Sequence, residues 1–201
     1  MTPGPTRSDD RTTPLWYALR TRGRAERQAA LRLAGAGVEV FPALAPVKRA
    51  WSDRVKRVEL PLFPGYIFAR FALVDAAHTL AVPGVVEVVR TWGGAGGRAT
   101  PLRDAELDAV RRLAAGVEAT GELPEPFDPL ADLLEPGVPV RVVQGPFKGL
   151  TGTFVKREGG HRVAVEIGAL RQARAVRMDQ SMVAPLGRNA PLDARVTAAA
   201  H

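Results

Sequence analysis

The chain has 201 residues, 46% hydrophobic and 24% charged, which excludes a wholly disordered polypeptide and allows one medium domain or two small ones. It has no cysteine, and its three histidines, His78, His161 and His201, lack metal-ligand spacing, so disulfides, thiolate zinc sites, iron–sulfur clusters and cysteine nucleophiles are excluded. A formal charge of +7 points to a polyanionic partner, while the absence of a bilayer-length apolar run or a signal-peptide core makes the cytoplasm the expected compartment and sets no membrane partner.

Residues 1–14 are expected to be a disordered tail. After Pro14, the run Leu15–Arg20 (LWYALR) suits a strand. A helix follows, with Ala25, Ala29, Leu33 and Ala36 at helical spacing, Leu31 beside them, and Gly35 and Gly37 as the stop. Val38–Phe41 reads as a strand ended by Pro42. A basic block, 46–57, carries a lone Trp51, and strands Val58–Leu60 and Tyr66–Phe71 flank LPLFPG. A short helix around 75–82, a strand Val85–Val89, a glycine-rich loop Trp92–Gly97 and a helix Asp104–Leu113 complete the block. Together, residues 15–114 predict an α+β domain with helices packed on a mainly antiparallel sheet.

Residues 115–134 carry five acidic groups, no basic ones, and Pro124, Pro126 and Pro129, whereas 15–114 hold 16 basic and 9 acidic groups and 135–187 hold 8 and 4. This composition predicts a stiffened linker between two basic domains. In the second, Val138, Val140 and Val142 alternate, Thr151–Lys156 and Arg162–Ile167 join across Gly159-Gly160 as a hairpin, and Ala173–Met178 supplies a last strand. So many short strands without a helix pattern predict a small closed β-barrel over 135–187, because closure removes sheet edges. Residues 188–201 are expected to be a second disordered tail.

No arrangement supports catalysis, and the chain is read as a non-enzyme without cofactor or metal. Gly145-Pro146-Phe147-Lys148-Gly149 lacks phosphate-loop spacing and reads as a barrel turn. Asp104, Glu106 and Asp108 open a helix, where negative charge suits capping. His78 and His161 have no nucleophile within a triad pattern.

Binding surfaces remain. Arg20, Arg22, Arg24 and Arg27 make a basic cluster at the end of the first strand and the start of the helix; it suits a phosphate backbone, and equally a solvated helix face. Phe63, Tyr66, Phe68 and Phe71 read first as core. Any that alternation turns outward would form an aromatic edge for a protein partner.

At these residues the chain resembles the NusG family of transcription elongation factors, relatives of the archaeal and eukaryotic Spt5 factors. In the first domain the resemblance rests on Trp16-Tyr17, the helix from Gly23 to Leu33, Leu62-Phe63-Pro64-Gly65-Tyr66-Ile67-Phe68, Val82-Pro83-Gly84-Val85, and Pro101-Leu102 before Glu106–Val110. In the second it rests on Glu135-Pro136-Gly137, Val140-Arg141-Val142, Gly145-Pro146-Phe147 and Gly149-Leu150-Thr151-Gly152, the KOW motif.

The resemblance implies an N-terminal (NGN) α/β sandwich that binds the clamp helices of the largest RNA polymerase subunit, closes the enzyme around DNA and suppresses pausing or termination. It implies that Phe63, Pro64, Tyr66 and Phe68, with Val88 nearby, form the grip, that His78 and Thr79 face the opposite jaw, and that Arg22 and Arg27, within the basic cluster, lie near the non-template DNA strand. It further implies an SH3-like KOW barrel recruiting termination factor Rho or a small-subunit ribosomal protein through turns at Phe147 and Lys148 and at Ile167 and Leu170, and a monomer. The longer turn Ile167–Ala173 and Glu59-Leu60-Pro61-Leu62 ahead of Phe63 resemble the specialised RfaH-like or LoaP-like antiterminator paralogues. A housekeeping NusG factor, and a KOW-containing ribosome- or RNA-binding protein, are the alternatives. The valine alternation favours a permanent barrel over a helical hairpin.

Overall fold

A computed structural model describes residues 11–50, 55–90, 97–127, 138–157, 160–167, 170 and 172–186. In chain order the elements are β1 (Leu15–Thr21), α1 (Glu26–Gly35), β2 (Glu39–Phe41), β3 (Leu44–Ala50), β4 (Val55–Pro61), β5 (Tyr66–Phe71), α2 (Ala76–Ala81), β6 (Val85–Val88), α3 (Asp104–Thr120) and β7 (Glu125–Phe127). They continue with β8 (Val138–Val142), β9 (Thr151–Arg157), β10 (Gly160–Ile167), β11 (Gln172–Arg177) and β12 (Val183–Pro185). These elements fall into two compact units, one drawn from residues 1–42 and 63–102, the other from 43–62 and 103–201.

The first unit is a four-stranded antiparallel sheet in the order β2-β5-β1-β6. The apolar runs of β1 and β5 lie side by side, Tyr17 opposite Ala69 and Leu19 opposite Ile67. Tyr17, Leu19, Ile67, Ala69 and Phe71 build the core with Val85 and Val88 from β6 and Ala29 and Leu33 from α1. The rings of Tyr17 and Phe71 meet at 5.1 Å. Helix α1 buries Ala29 and Leu33 as its periodicity predicts, but Leu31 is 59% exposed: it lies two residues from either anchor, on the opposite side of the helix. The Val-Pro-Gly turn before β6 is fixed by packing on α1, since a β-carbon on Gly84 would come 3.3 Å from that of Ala29, and φ there is +103°.

The second unit joins the β3–β4 hairpin, α3 and a six-stranded antiparallel sheet in the order β12-β8-β9-β10-β11-β7. Sequence alone suggests only Val58–Leu60 as a strand here. The hairpin is longer because Ala45 and Val47 of β3 are buried and pair with Leu60 and Val58. Helix α3 outruns its expected end at Leu113: the buried stripe Leu107, Val110, Leu113 continues through Gly116 and Val117, and the helix closes with the Gly121 N–H on the Val117 carbonyl at 2.7 Å. Its start is capped by Glu106, which accepts the Arg103 backbone N–H at 3.0 Å.

The β9–β10 hairpin forms where the two glycines signal it, with Gly160 opposite Arg157. Within the acidic, proline-containing stretch, Glu125–Phe127 adds to β11 as a strand, seating Phe127 among Val155, Ala164, Ala173 and Ala175. β12, opposite β8, has too few residues to show a pattern in sequence. The α+β class with antiparallel sheets is the one the sequence predicts. Most of the two tails, together with Trp51 and Trp92–Gly96, lies outside the described residues; the Arg11 carbonyl, however, accepts the Val74 N–H at 3.1 Å.

Candidate protein and nucleic-acid binding surfaces

Residues 63–66 form a turn pinned at three points. The Tyr66 N–H donates to the Phe63 carbonyl at 3.0 Å, and the Thr21 N–H donates to the Gly65 carbonyl at 2.8 Å. The Gly65 N–H donates to Glu26 Oε1 at 2.7 Å, and φ at Gly65 is +84°, a region open to glycine and costly for other residues. Glu26 is buried, so its carboxylate ties the first turn of α1 to this loop. Sequence reasoning missed Glu26; the available signal was a single acid inside a run of arginines.

Around the turn, Pro64 is exposed and Tyr66 half-buried, whereas Phe63 and Phe68 have no exposed surface. Phe68 meets Phe63 edge-on at 6.2 Å and stacks on Phe41 at 6.3 Å. Val88 is buried in the sheet opposite Leu19. On α2, His78 is exposed and Thr79 buried, with the Thr79 hydroxyl donating to the Asp75 carbonyl at 3.5 Å.

The basic residues stand at the same end of this unit. Arg22 donates its N–H to the Gly84 carbonyl at 2.9 Å and accepts the Ala25 N–H at 3.0 Å, making a closed turn ahead of α1. Arg24, inside that turn, has φ +61°, an uncommon conformation for a residue with a β-carbon. Arg20, Arg22, Arg24 and Arg27 are all exposed, but the Arg20 guanidinium is engaged by its cross-strand neighbour Glu87 at 2.7 Å. Glu26 thus joins the Phe-Pro-Gly-Tyr turn to the basic turn.

In the second unit, the turn after β8 is closed by Lys148 N–H to the Gly145 carbonyl at 3.1 Å and Gly149 N–H to the Val142 carbonyl at 2.8 Å. Lys148 is exposed; Phe147, Ile167 and Leu170 are buried. Arg162 is buried too, with Nε 3.1 Å from Glu125, which Arg177 also reaches at 3.5 Å. Arg174 donates Nε to the Leu62 carbonyl at 2.7 Å, and burial lowers its pKa from the usual arginine value. Glu166 is pushed above the usual carboxylate range, first by burial and then by the Glu106 carboxylate, against an opposing pull from Arg103.

Among the described residues no group of three or more histidine, cysteine, aspartate or glutamate side chains could hold a metal, and no helix is long and apolar enough to cross a membrane. The described residues thus comprise an antiparallel α+β unit and a β-rich unit, the first displaying a tethered aromatic turn and exposed basic side chains.

The family model described as "Transcription termination factor nusG" matches residues 14–111. The transcription termination/antitermination protein NusG of Escherichia coli K12 is 31% identical over 129 residues, 64% of this chain and 67% of that protein. Its Thermus thermophilus counterpart is 29% identical over 188 residues, 84% of this chain and 96% of that protein. Among solved structures, one described as "Domain interaction in Thermotoga maritima NusG" matches with a TM-score of 0.48 and 21% identity, covering 88% of this chain and 99% of that one. The chain belongs to the NusG family, and it is a NusG-like transcription termination/antitermination factor. The family is one of transcription factors that interact with RNA polymerase and is not a known enzyme class.

Proposed function

We propose that this protein is a specialised, operon-restricted NusG paralogue that grips the clamp helices of RNA polymerase through residues 63–68 and suppresses pausing or termination. The observation that carries the reading is the Phe63–Tyr66 turn: Pro64 and Tyr66 reach solvent on a loop whose backbone is held by Glu26 and Thr21. A loop held this firmly loses little entropy on binding, which suits a protein-docking anchor. Phe63 and Phe68 pack edge to face beside the loop, Val88 stands in the core on the other face of the sheet, and His78 and Thr79 contribute toward the opposite jaw. Arg22, Arg24 and Arg27, with Arg20 held by Glu87, are the proposed contacts to the non-template strand.

In this reading residues 15–114 are the polymerase-binding domain and 135–187 the KOW domain, with 115–134 between them carrying the end of α3 and strand β7; the KOW domain recruits Rho or a small-subunit ribosomal protein through Lys148 with Phe147, Ile167 and Leu170. The specialised role rests on the sequence Ile167–Ala173, whose ends belong to β10 and β11, together with Glu59-Leu60-Pro61-Leu62 ahead of Phe63. Transcript profiling of a strain lacking the protein tests it: loss of distal expression in a few long operons is expected, and a uniform genome-wide change would make this the housekeeping factor.

A further inference from the structure

Strand β7 comes from outside the run β8–β12, yet it caps the β11 edge of their sheet. Its three residues set Glu125 opposite Ala175, Pro126 opposite Arg174 and Phe127 opposite Ala173. Because side chains alternate along a strand, Glu125 and Phe127 share the face that carries Ala173 and Ala175, and Pro126 turns away. The Phe127 ring is buried with Val155, Ala164, Ala173 and Ala175. Two residues ahead of it, the Glu125 carboxylate accepts from Arg162 Nε at 3.1 Å and is reached by Arg177 at 3.5 Å.

This edge demands a carboxylate. The Arg162 side chain is 4% exposed, and among the described residues Glu125 is the one acid that meets it. Strands β8–β12 hold one described acid of their own, Glu166, four positions farther along β10 and so about 13 Å away. A buried guanidinium without a carboxylate is costly, so any segment that takes the place of β7 must bring one. The present occupant is also held loosely. It is three residues long, its central proline has no N–H to donate, and it leaves unfilled a cavity of about 220 Å³ beside Glu125, lined by Leu123, Pro124, Ala175 and Arg177. A strand added to a sheet edge gains affinity from main-chain bonds and specificity from the pockets that take alternate side chains. We propose that the β11 edge is a recognition site for an extended segment of a partner protein that carries a carboxylate two residues ahead of an aromatic ring, and that Glu125-Pro126-Phe127 is a self-ligand which such a segment displaces.

The test contains no polymerase, Rho or ribosomal protein, so its outcome is separate from that of the polymerase reading. A fluorescein-labelled peptide with the sequence of residues 121–127, Gly-Glu-Leu-Pro-Glu-Pro-Phe, is titrated with the full chain. Wild type should bind it weakly, because a tethered segment competes at high effective concentration; the Phe127→Ala chain, its ring pocket vacated, should bind at least about tenfold tighter. On that chain, peptides carrying Glu125→Gln or Phe127→Ala should each bind about tenfold more weakly or worse, and adding Arg162→Met to the chain should abolish the preference for glutamate over glutamine. Circular dichroism verifies folding of each variant. A Glu125→Gln chain, which keeps the ring in place, is the second test of displacement and should also take the peptide more tightly than wild type. No binding by the folded variants, equal binding of the three peptides, or wild type binding as tightly as Phe127→Ala would overturn the proposal.

Discussion

The ring of Phe147 fills the space that a side chain at position 116 would occupy: a β-carbon built on Gly116 would lie 2.2 Å from ring atoms Cδ1 and Cε1. Both residues are buried, Gly116 in the C-terminal third of α3 and Phe147 in the turn after β8. A glycine in a helix interior costs about 1 kcal/mol relative to alanine, so replacing it would ordinarily stabilise. Here the sign should reverse. Gly116→Ala is expected to destabilise by about 1–3 kcal/mol through overpacking, as read by urea unfolding. In a Phe147→Leu background, where the ring is gone, the same substitution should cost little or should stabilise. Additive effects of the two changes would sever the link between them.

Glu125 is the carboxylate partner of a buried cation. Glu125→Ala leaves Arg162 without its charge partner and should cost about 2 kcal/mol, the range for a hydrogen bond to a charged group, with the partial exposure of Glu125 holding it below the cost for a fully buried pair. Arg162→Met removes the charge together with the need for a partner and should cost less than Glu125→Ala. Chemical denaturation of the two variants gives the order directly.

Glu166 supplies a pH signature. Its pKa in the folded protein is raised by burial and by Glu106, so the folded chain holds the proton more tightly than the unfolded chain. Stability therefore falls as pH rises from the ordinary glutamate value to the raised one, and the penalty is complete above the raised value. Glu166→Gln should be more stable than wild type at neutral pH, with the difference vanishing on acidification below pH about 4. Melting temperatures across pH 3–8 measure this; a constant difference across the range would remove the carboxylate as its cause.

Arg24 occupies the left-handed region at φ +61°. Arg24→Gly should relieve that conformation and stabilise the chain by about 1 kcal/mol, while lowering affinity for single-stranded DNA if the guanidinium contacts phosphate. The two effects have opposite signs and are read separately by calorimetry and by fluorescence anisotropy.

What was legible in the sequence follows from what repeats in it. The cores of β1 and β5, the buried face of α1 and the β9–β10 hairpin all declare themselves through periodicity or turn glycines. Strand β3 does not, because Lys48 and Arg49 interrupt its apolar alternation, and only pairing with β4 makes it a strand. β7 was hidden by the acid and proline that made its surroundings resemble a linker; Phe127 finds its core only when β11 is beside it. In the candidate site, the aromatic turn and arginine cluster are visible as motifs. Glu26 is not, since its role depends on Gly65, which is 39 residues away in sequence.

The central claim is that the exposed part of the Phe63–Tyr66 turn anchors the protein on RNA polymerase. The direct measurement is binding of purified core polymerase to the full chain, wild type against Tyr66→Ala, with folding of both verified by circular dichroism. The account predicts that wild type binds and that the folded variant loses about 2 kcal/mol, roughly a 30-fold weakening. Equal binding by wild type and variant, or none by a well-folded wild type, would contradict it.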